Sequence, residues 1–200
     1  MAADIKISII TITYNASQWL EKTIESVISQ NAASHIEYLI IDGESKDTTV
    51  NIIKKYEAHI SLWMSEPDNG LYDAMNKGLQ KASGDYVWFL NAGDTFRDKD
   101  VVGKIVDIIE KNNMPDIIYG ETDLVDLKGD FIANRRLKAP EKLTWKSFRM
   151  GMMVCHQAFV PKRSIAPLYD LSYRFSADFD WCIRGMKNAH NIVNSHLRLV

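Results

Sequence analysis

Polar clusters that include acids close several apolar, β-branched runs in this chain. Ser8 to Thr13 leads into Tyr14 and Asn15, and Ile36 to Ile41 leads into Asp42-Gly43-Glu44-Ser45-Lys46-Asp47. Ile60 to Ser65 leads into Glu66-Pro67-Asp68-Asn69-Gly70, and Tyr86 to Leu90 leads into Asn91-Ala92-Gly93-Asp94. A carboxylate can accept hydrogen bonds from a base N–H or from ribose hydroxyls. A second carboxylate can hold a divalent cation that neutralises a diphosphate. Each cluster also has a plain structural reading. Asp42-Gly43 and Pro67-Asp68-Asn69-Gly70 are turn sequences, and Ser45 and Asp47 are good helix caps. The combination points further, because all four ends fall on one rim if the runs are parallel strands of one sheet.

The usual phosphate cradles are missing. The sequence has no G-x-x-x-x-G-K-[ST] loop and no G-x-G-x-x-G after the first strand. Its first turn, Tyr14-Asn15-Ala16-Ser17, lacks glycine. A clamp of acid and metal is the remaining common solution for a nucleotide diphosphate.

The elements that must position these clusters alternate. Lys6 to Thr13, Ile36 to Asp42, Ile60 to Ser65 and Gly84 to Asn91 read as buried strands. Helices are expected over Ser17 to Gln30, Asp47 to Ala58, Tyr72 to Ala82 and Val101 to Lys111, where apolar residues recur at helical spacing. Such alternation predicts an α/β fold with an open, mostly parallel sheet, where ligands bind at the carboxyl ends of strands. The second half is less regular. Short strands are expected at Asp116 to Tyr119, Asp123 to Leu127, Phe131 to Ala133 and Cys155 to Val160, then a helix over Ala177 to Ala189 and a strand over Ile192 to Val200. It reads as a smaller subregion that shapes a second pocket.

Composition narrows the partners. With 200 residues and 46% hydrophobic content, one domain with a real core is expected. A net charge of −2 gives no field that favours nucleic acid. Cys155 and Cys182 match no metal spacing and read as reduced thiols. The start, Met1-Ala2-Ala3-Asp4-Ile5-Lys6, lacks the parts of a signal peptide, and no apolar run approaches a membrane span. The final His196-Leu197-Arg198-Leu199-Val200 reads as a strand cut short, which suggests a truncated chain.

Several segments, in order, resemble the family 2 glycosyltransferases, which have the GT-A fold. Ser8 to Asn15 is similar to the family's first strand, and Gln30 closes the next helix as the family's glutamine does. Asp42-Gly43-Glu44-Ser45-Lys46-Asp47-Thr48-Thr49 resembles the D-G-x-S-x-D-x-T motif. Glu66 to Gly78 resembles a signature of bacterial exopolysaccharide, O-antigen and colanic acid assembly members. Gly84 to Asp94 is similar to the strand that carries the D-x-D metal motif. The resemblance implies a Rossmann-like, mostly parallel sheet flanked by helices. A donor half would span 1–97 and an acceptor-side half 98–200, within one catalytic domain.

Carried over by position, the resemblance implies that Thr11, Tyr14 and Asp42 surround the nucleoside, with Asp42 facing the base, and that Asn15, Ser45 and Asn91 also bind the donor. Asp73 and Lys77 would lie near the sugar-phosphate end, and Asn91 and Asp94 occupy the D-x-D region. Asp94 would be the metal ligand, for Mn²⁺ or Mg²⁺. Here Asn91 and Gly93 replace two acids of the motif, so only one carboxylate remains. Asp178, in Ser176-Ala177-Asp178-Phe179-Asp180-Trp181, matches the catalytic base, with Asp180 and Trp181 beside it; a helix cap is its structural alternative. His156 and Gln157 match an acceptor-side segment, although a lone histidine is commonly a satisfied structural residue. The implied reaction is inverting transfer from a nucleotide-sugar donor, by family frequency a UDP-sugar. The implied acceptor is a glycan or lipid-linked glycan, handled in the cytoplasm at the inner membrane face by a peripherally associated enzyme. Two other readings compete, a nucleotidyltransferase of sugar-nucleotide synthesis and a non-catalytic nucleotide-binding module.

Overall fold

A computed structural model describes residues 5–126 and 128–200. The expectations for Met1 to Asp4 and for Leu127 lie outside these residues. The first half alternates as the sequence predicts: β1 (Ile7–Thr13), α1 (Leu20–Ile28), β2 (Ile36–Asp42), α2 (Thr49–Lys55), β3 (Leu62–Ser65), α3 (Leu71–Lys81), β4 (Tyr86–Phe89) and α4 (Val101–Lys111). These four strands form one parallel sheet in the order β3-β2-β1-β4. All seven residues of β1 are buried, because the strand is covered on both faces. The register pairs Thr13 with Asp42 and Asp42 with Ser65, so three strand ends stop on one line.

The second half contributes β5 (Ile117–Glu121), the hairpin β6 (Asp123–Val125) and β7 (Phe131–Asn134), β8 (Phe159–Pro161), α5 (Ala177–Asn188) and β9 (Ile192–Arg198). A second sheet runs β8-β5-β9. An antiparallel bridge from Tyr86 to Lys162 joins it to the first.

Helix packing aims the chemistry. Leu20, Ile24 and Val27 of α1 are buried, as are Ala74, Met75 and Leu79 of α3. A Cβ on Gly78 would lie 2.6 Å from Ile10 Cγ2, so glycine lets α3 sit directly on β1. Gln30 accepts the Val102 N–H and donates to Ser26 and Asp98 carbonyls, which ties α1 to α4.

Several boundaries differ from expectation. α1 starts late because Ala16–Trp19 form a turn, with Trp19 and Leu20 both donating to the Ala16 carbonyl. α2 starts late because Asp47 accepts the N–H groups of Ser17 and Thr49. The expected strand Cys155 to Val160 is instead a 3₁₀ turn at His156–Ala158 followed by β8. That turn presents the Gln157 carbonyl to Trp88 Nε1 at 2.7 Å, an interaction between distant segments that no local pattern encodes.

Candidate active site

The strand ends open into a cleft of about 660 Å³ lined by Tyr14, Gly43, Glu44, Lys46, Asp68 and Asn91, among others. Its floor is built by cross-ties. The N–H groups of Asn15, Ala16 and Ser17 donate to Ser45 Oγ, Thr49 Oγ1 and Asp47 in turn, at 2.8, 2.9 and 3.2 Å. Asn15 Oδ1 accepts the Lys46 N–H at 2.8 Å. The first turn therefore spends these three amides on the neighbouring loop.

Asp42 departs from the expected role. Its residue is fully buried, and its carboxylate accepts the Ser45 N–H at 2.9 Å, Ser45 Oγ–H at 2.5 Å and Ser65 Oγ–H at 2.6 Å. It fastens the loop and does not line the cleft. Thr11 is also fully buried and donates to the Leu90 carbonyl at 2.8 Å, inside the sheet. Tyr14 is 62% exposed and does line the cleft. Asp68 joins it without having been singled out. Its Oδ1 accepts the Gly70 N–H, and its Oδ2 lies 2.4 Å from where a Cβ on Gly43 would be. Glycine at 43 leaves room for the acid in this position, and the Pro67-Asp68-Asn69-Gly70 segment reads in sequence as a turn.

Lys77 and Asp73 point to structural work. Lys77 Nζ donates to the Pro67 carbonyl at 2.7 Å and pairs with Glu66 at 2.9 Å. The hydrogen bond it donates to Glu66 holds its ammonium above the ordinary lysine range. Asp73 accepts the Asn69 N–H at the start of α3 and lines a second cleft.

Asn91 Oδ1 is buried in the donor-side cleft with no partner among the described residues. Such an atom costs free energy unless a ligand satisfies it. Asp94 closes the same turn, its N–H donating to the Asn91 carbonyl, but its side chain opens on a smaller cleft under β6 and β7. Burial raises the Asp94 carboxyl above the ordinary aspartate range, and the Gln157 amide, donating at 3.0 Å, opposes that rise. Among the described residues no group of three His, Cys, Asp or Glu could hold a metal. The Asp94 carboxylate alone fits a cation that brings its own diphosphate and water ligands.

The second cleft, about 580 Å³, lies between the start of α3 and residues 171–175, and it shares Gly70 and Leu71 with the first. Tyr72 lines it and donates to Asp178 Oδ1 at 3.2 Å. Nothing in the sequence signalled that pair. Asp178 sits in the first turn of α5, just after Ser176 at φ 62°. Asn15 and Glu44, beside the first cleft, also have positive φ, at 48° and 62°. Non-glycine backbone in this region is costly and gathers at functional sites.

The remaining acceptor-side residues are described by their burial and pairing. Trp181 is 1% exposed, stacks on Tyr169 at 5.1 Å and donates to the Pro167 carbonyl at 2.6 Å. It is core, because its helix face packs on β4 and β8 residues Phe89 and Phe159. Asp180 is paired with Arg184 at 2.6 Å, and Arg184 also donates to the Leu168 carbonyl. His156 is buried in the same aromatic cluster, 2.5 Å from the Tyr169 hydroxyl. Burial pushes its pKa down to about 4, with Asp178 pulling weakly the other way. Gln157 reaches the site through its hydrogen bond to Asp94.

Residues 8–166 match the model described as glycosyl transferase family 2. An uncharacterised glycosyltransferase of Mycobacterium tuberculosis is 35% identical over 184 residues, covering 89% of this chain and 68% of its own. A PGL/p-HBAD biosynthesis glycosyltransferase of Mycobacterium bovis is 30% identical over 188 residues, covering 90% of this chain and 70% of its own. The crystal structure of S. aureus TarS 1-349 in complex with UDP-GlcNAc superposes with a TM-score of 0.82 at 19% identity. That match covers 98% of this chain and 57% of the TarS chain.

Proposed function

The chain belongs to glycosyl transferase family 2, with the GT-A fold expected from its sequence, and from that premise we propose that it is an inverting transferase of nucleotide sugars. The donor is a nucleotide-diphosphate sugar, with uridine as the base, in keeping with the UDP-GlcNAc held by TarS. The acceptor is a hydroxyl of a glycan or lipid-linked glycan in bacterial surface polysaccharide synthesis, met at a membrane face. The observation that carries the reading is the pair of clefts that meet at Gly70–Leu71. One side offers Asn91 Oδ1, unpartnered among the described residues, and the other leads through Tyr72 to Asp178.

Each residue then has a task. Tyr14, Glu44, Lys46 and Asp68 line the nucleoside end, while Asp42 and Ser45 hold that wall in shape. Asp94 would hold Mn²⁺ or Mg²⁺, and Asn91 would meet the donor. Bound there, the cation supplies Lewis-acid stabilisation to the departing diphosphate. Asp178 takes the proton from the acceptor hydroxyl as it attacks the anomeric carbon. Tyr72 keeps one oxygen of that carboxylate occupied and so aims the other.

The test is release of free nucleoside diphosphate from a panel of nucleotide sugars, with Mn²⁺ and with chelator. Metal-dependent release, increased by glycan acceptors and abolished in Asp178→Asn, is the expected outcome. Pyrophosphate release from nucleoside triphosphate and sugar phosphate would make it a nucleotidyltransferase. Saturable donor binding with no turnover would make it a binding module.

A further inference from the structure

The second half carries a concentration of positive charge that the proposed reaction does not use. Between Arg135 and Arg149 the sequence has six cations and one acid, in a chain of net charge −2. The segment ends in a six-residue 3₁₀ helix, Trp145–Met150. Three residues per turn place Lys146 and Arg149 on one face. Lys146 Nζ and Arg149 Cζ lie 5.7 and 5.8 Å from the Trp145 ring centre. Lys187, in the last turn of α5, brings a third cation to 5.2 Å from the same ring. None of the three has a carboxylate partner among the described residues. Like charges gathered without an acid destabilise a fold unless an anion meets them.

Apolar exposure accompanies the charge. Met150 is 79% exposed and Trp145 36%. The opposite side of the helix is fixed: Phe148 is buried against Phe179 at 5.2 Å, and Thr144 and Ser147 cap the first turn reciprocally. The patch is thus presented on a packed element.

We infer that Trp145, Met150, Lys146, Arg149 and Lys187 form a docking surface for an anionic phospholipid bilayer. Charge complementarity selects an anionic partner. A tryptophan and an exposed methionine among lysine and arginine stems match the boundary between headgroups and acyl chains, where aromatic rings and long cationic side chains settle. A nucleic acid would reward the cations but leave Met150 unused. The location adds a reason. Lys187 lies nine residues beyond Asp178 on one helix, about 14 Å along its axis. A bilayer at the patch would hold the proposed base within reach of an acceptor carried on lipid. The surface deepens the membrane-face reading given above, yet vesicle binding can be measured without donor, acceptor or turnover.

The experiment is flotation of the protein with vesicles of phosphatidylcholine alone or mixed with phosphatidylglycerol, at low and high salt. Binding to the mixed vesicles only, weakened by salt, is expected. The triple variant Lys146→Gln, Arg149→Gln, Lys187→Gln should lose roughly a hundredfold in partitioning, and Trp145→Ala a smaller factor. Asp178→Asn should float like the native protein. Thermal melting confirms that each variant is folded. If the triple variant does not fold, Lys146→Gln alone serves and should lose roughly fivefold. Failure of the native protein to float, equal binding to both vesicles, or full retention by the folded variants would overturn the inference. So would displacement from vesicles by duplex DNA, which would assign the patch to nucleic acid.

Discussion

The side-chain amide of Gln157 donates to Asp94 Oδ2 at 3.0 Å, joining the turn before β8 to the turn after β4. It is a direct hydrogen bond between the acceptor-side segment and the expected metal ligand. Burial holds the Asp94 carboxyl above the ordinary aspartate value. The folded chain therefore keeps that proton at a pH where the unfolded chain has lost it. Its contribution to stability is complete below the ordinary value and is lost as pH rises through the raised one. Asp94→Asn should flatten that decline in a pH series of unfolding. At neutral pH its Tm without metal should equal or exceed that of the native protein, while Mn²⁺ with nucleoside diphosphate should no longer raise it. A lower metal-free Tm would mean that the carboxylate is a structural anchor.

Asp178→Asn keeps the shape and removes the base. Transfer should fall by about 10²- to 10⁴-fold in kcat. Donor affinity, measured by calorimetry with the nucleoside diphosphate, should be unchanged. Loss of donor affinity in a folded variant would move Asp178 to the donor side.

Asp42→Ala separates a wall-holding role from direct contact with the base. Three hydrogen bonds to a buried carboxylate disappear together, leaving two serine hydroxyls to find water. A loss of about 2–4 kcal/mol in denaturant unfolding is expected. Weakened donor binding with full stability would show that the carboxylate turns toward the nucleoside when donor is present.

Trp181→Ala tests core against acceptor surface. Removing a buried ring that stacks on Tyr169 should cost about 3–5 kcal/mol. A change in acceptor KM without any change in stability would restore the acceptor role.

His156 gives the protein an acid limit. Burial depresses its pKa to about 4, against 6.5 for an ordinary histidine. In that window the unfolded chain binds a proton that the folded chain excludes. Stability is therefore present above the ordinary value and lost as pH falls toward the depressed one. His156→Gln should remove this part of the acid slope in a pH series of Tm.

The α/β alternation was legible because burial on both faces makes parallel strands read as continuous apolar runs, as in Ile7–Thr13. So was the rim, since polar clusters follow each of those runs. The sequence by itself determined the fold class, the family and the acids available to chemistry. Local pattern cannot say which way a side chain turns at a strand end, and there the tertiary structure decided. Register paired Asp42 with Ser65 and buried its carboxylate, while glycine at 43 let Asp68 come forward. Packing drew Trp181 and His156 into the core and set Tyr72 against Asp178 across 106 residues. Those outcomes depend on contacts between distant segments, which short-range periodicity and spacing do not carry.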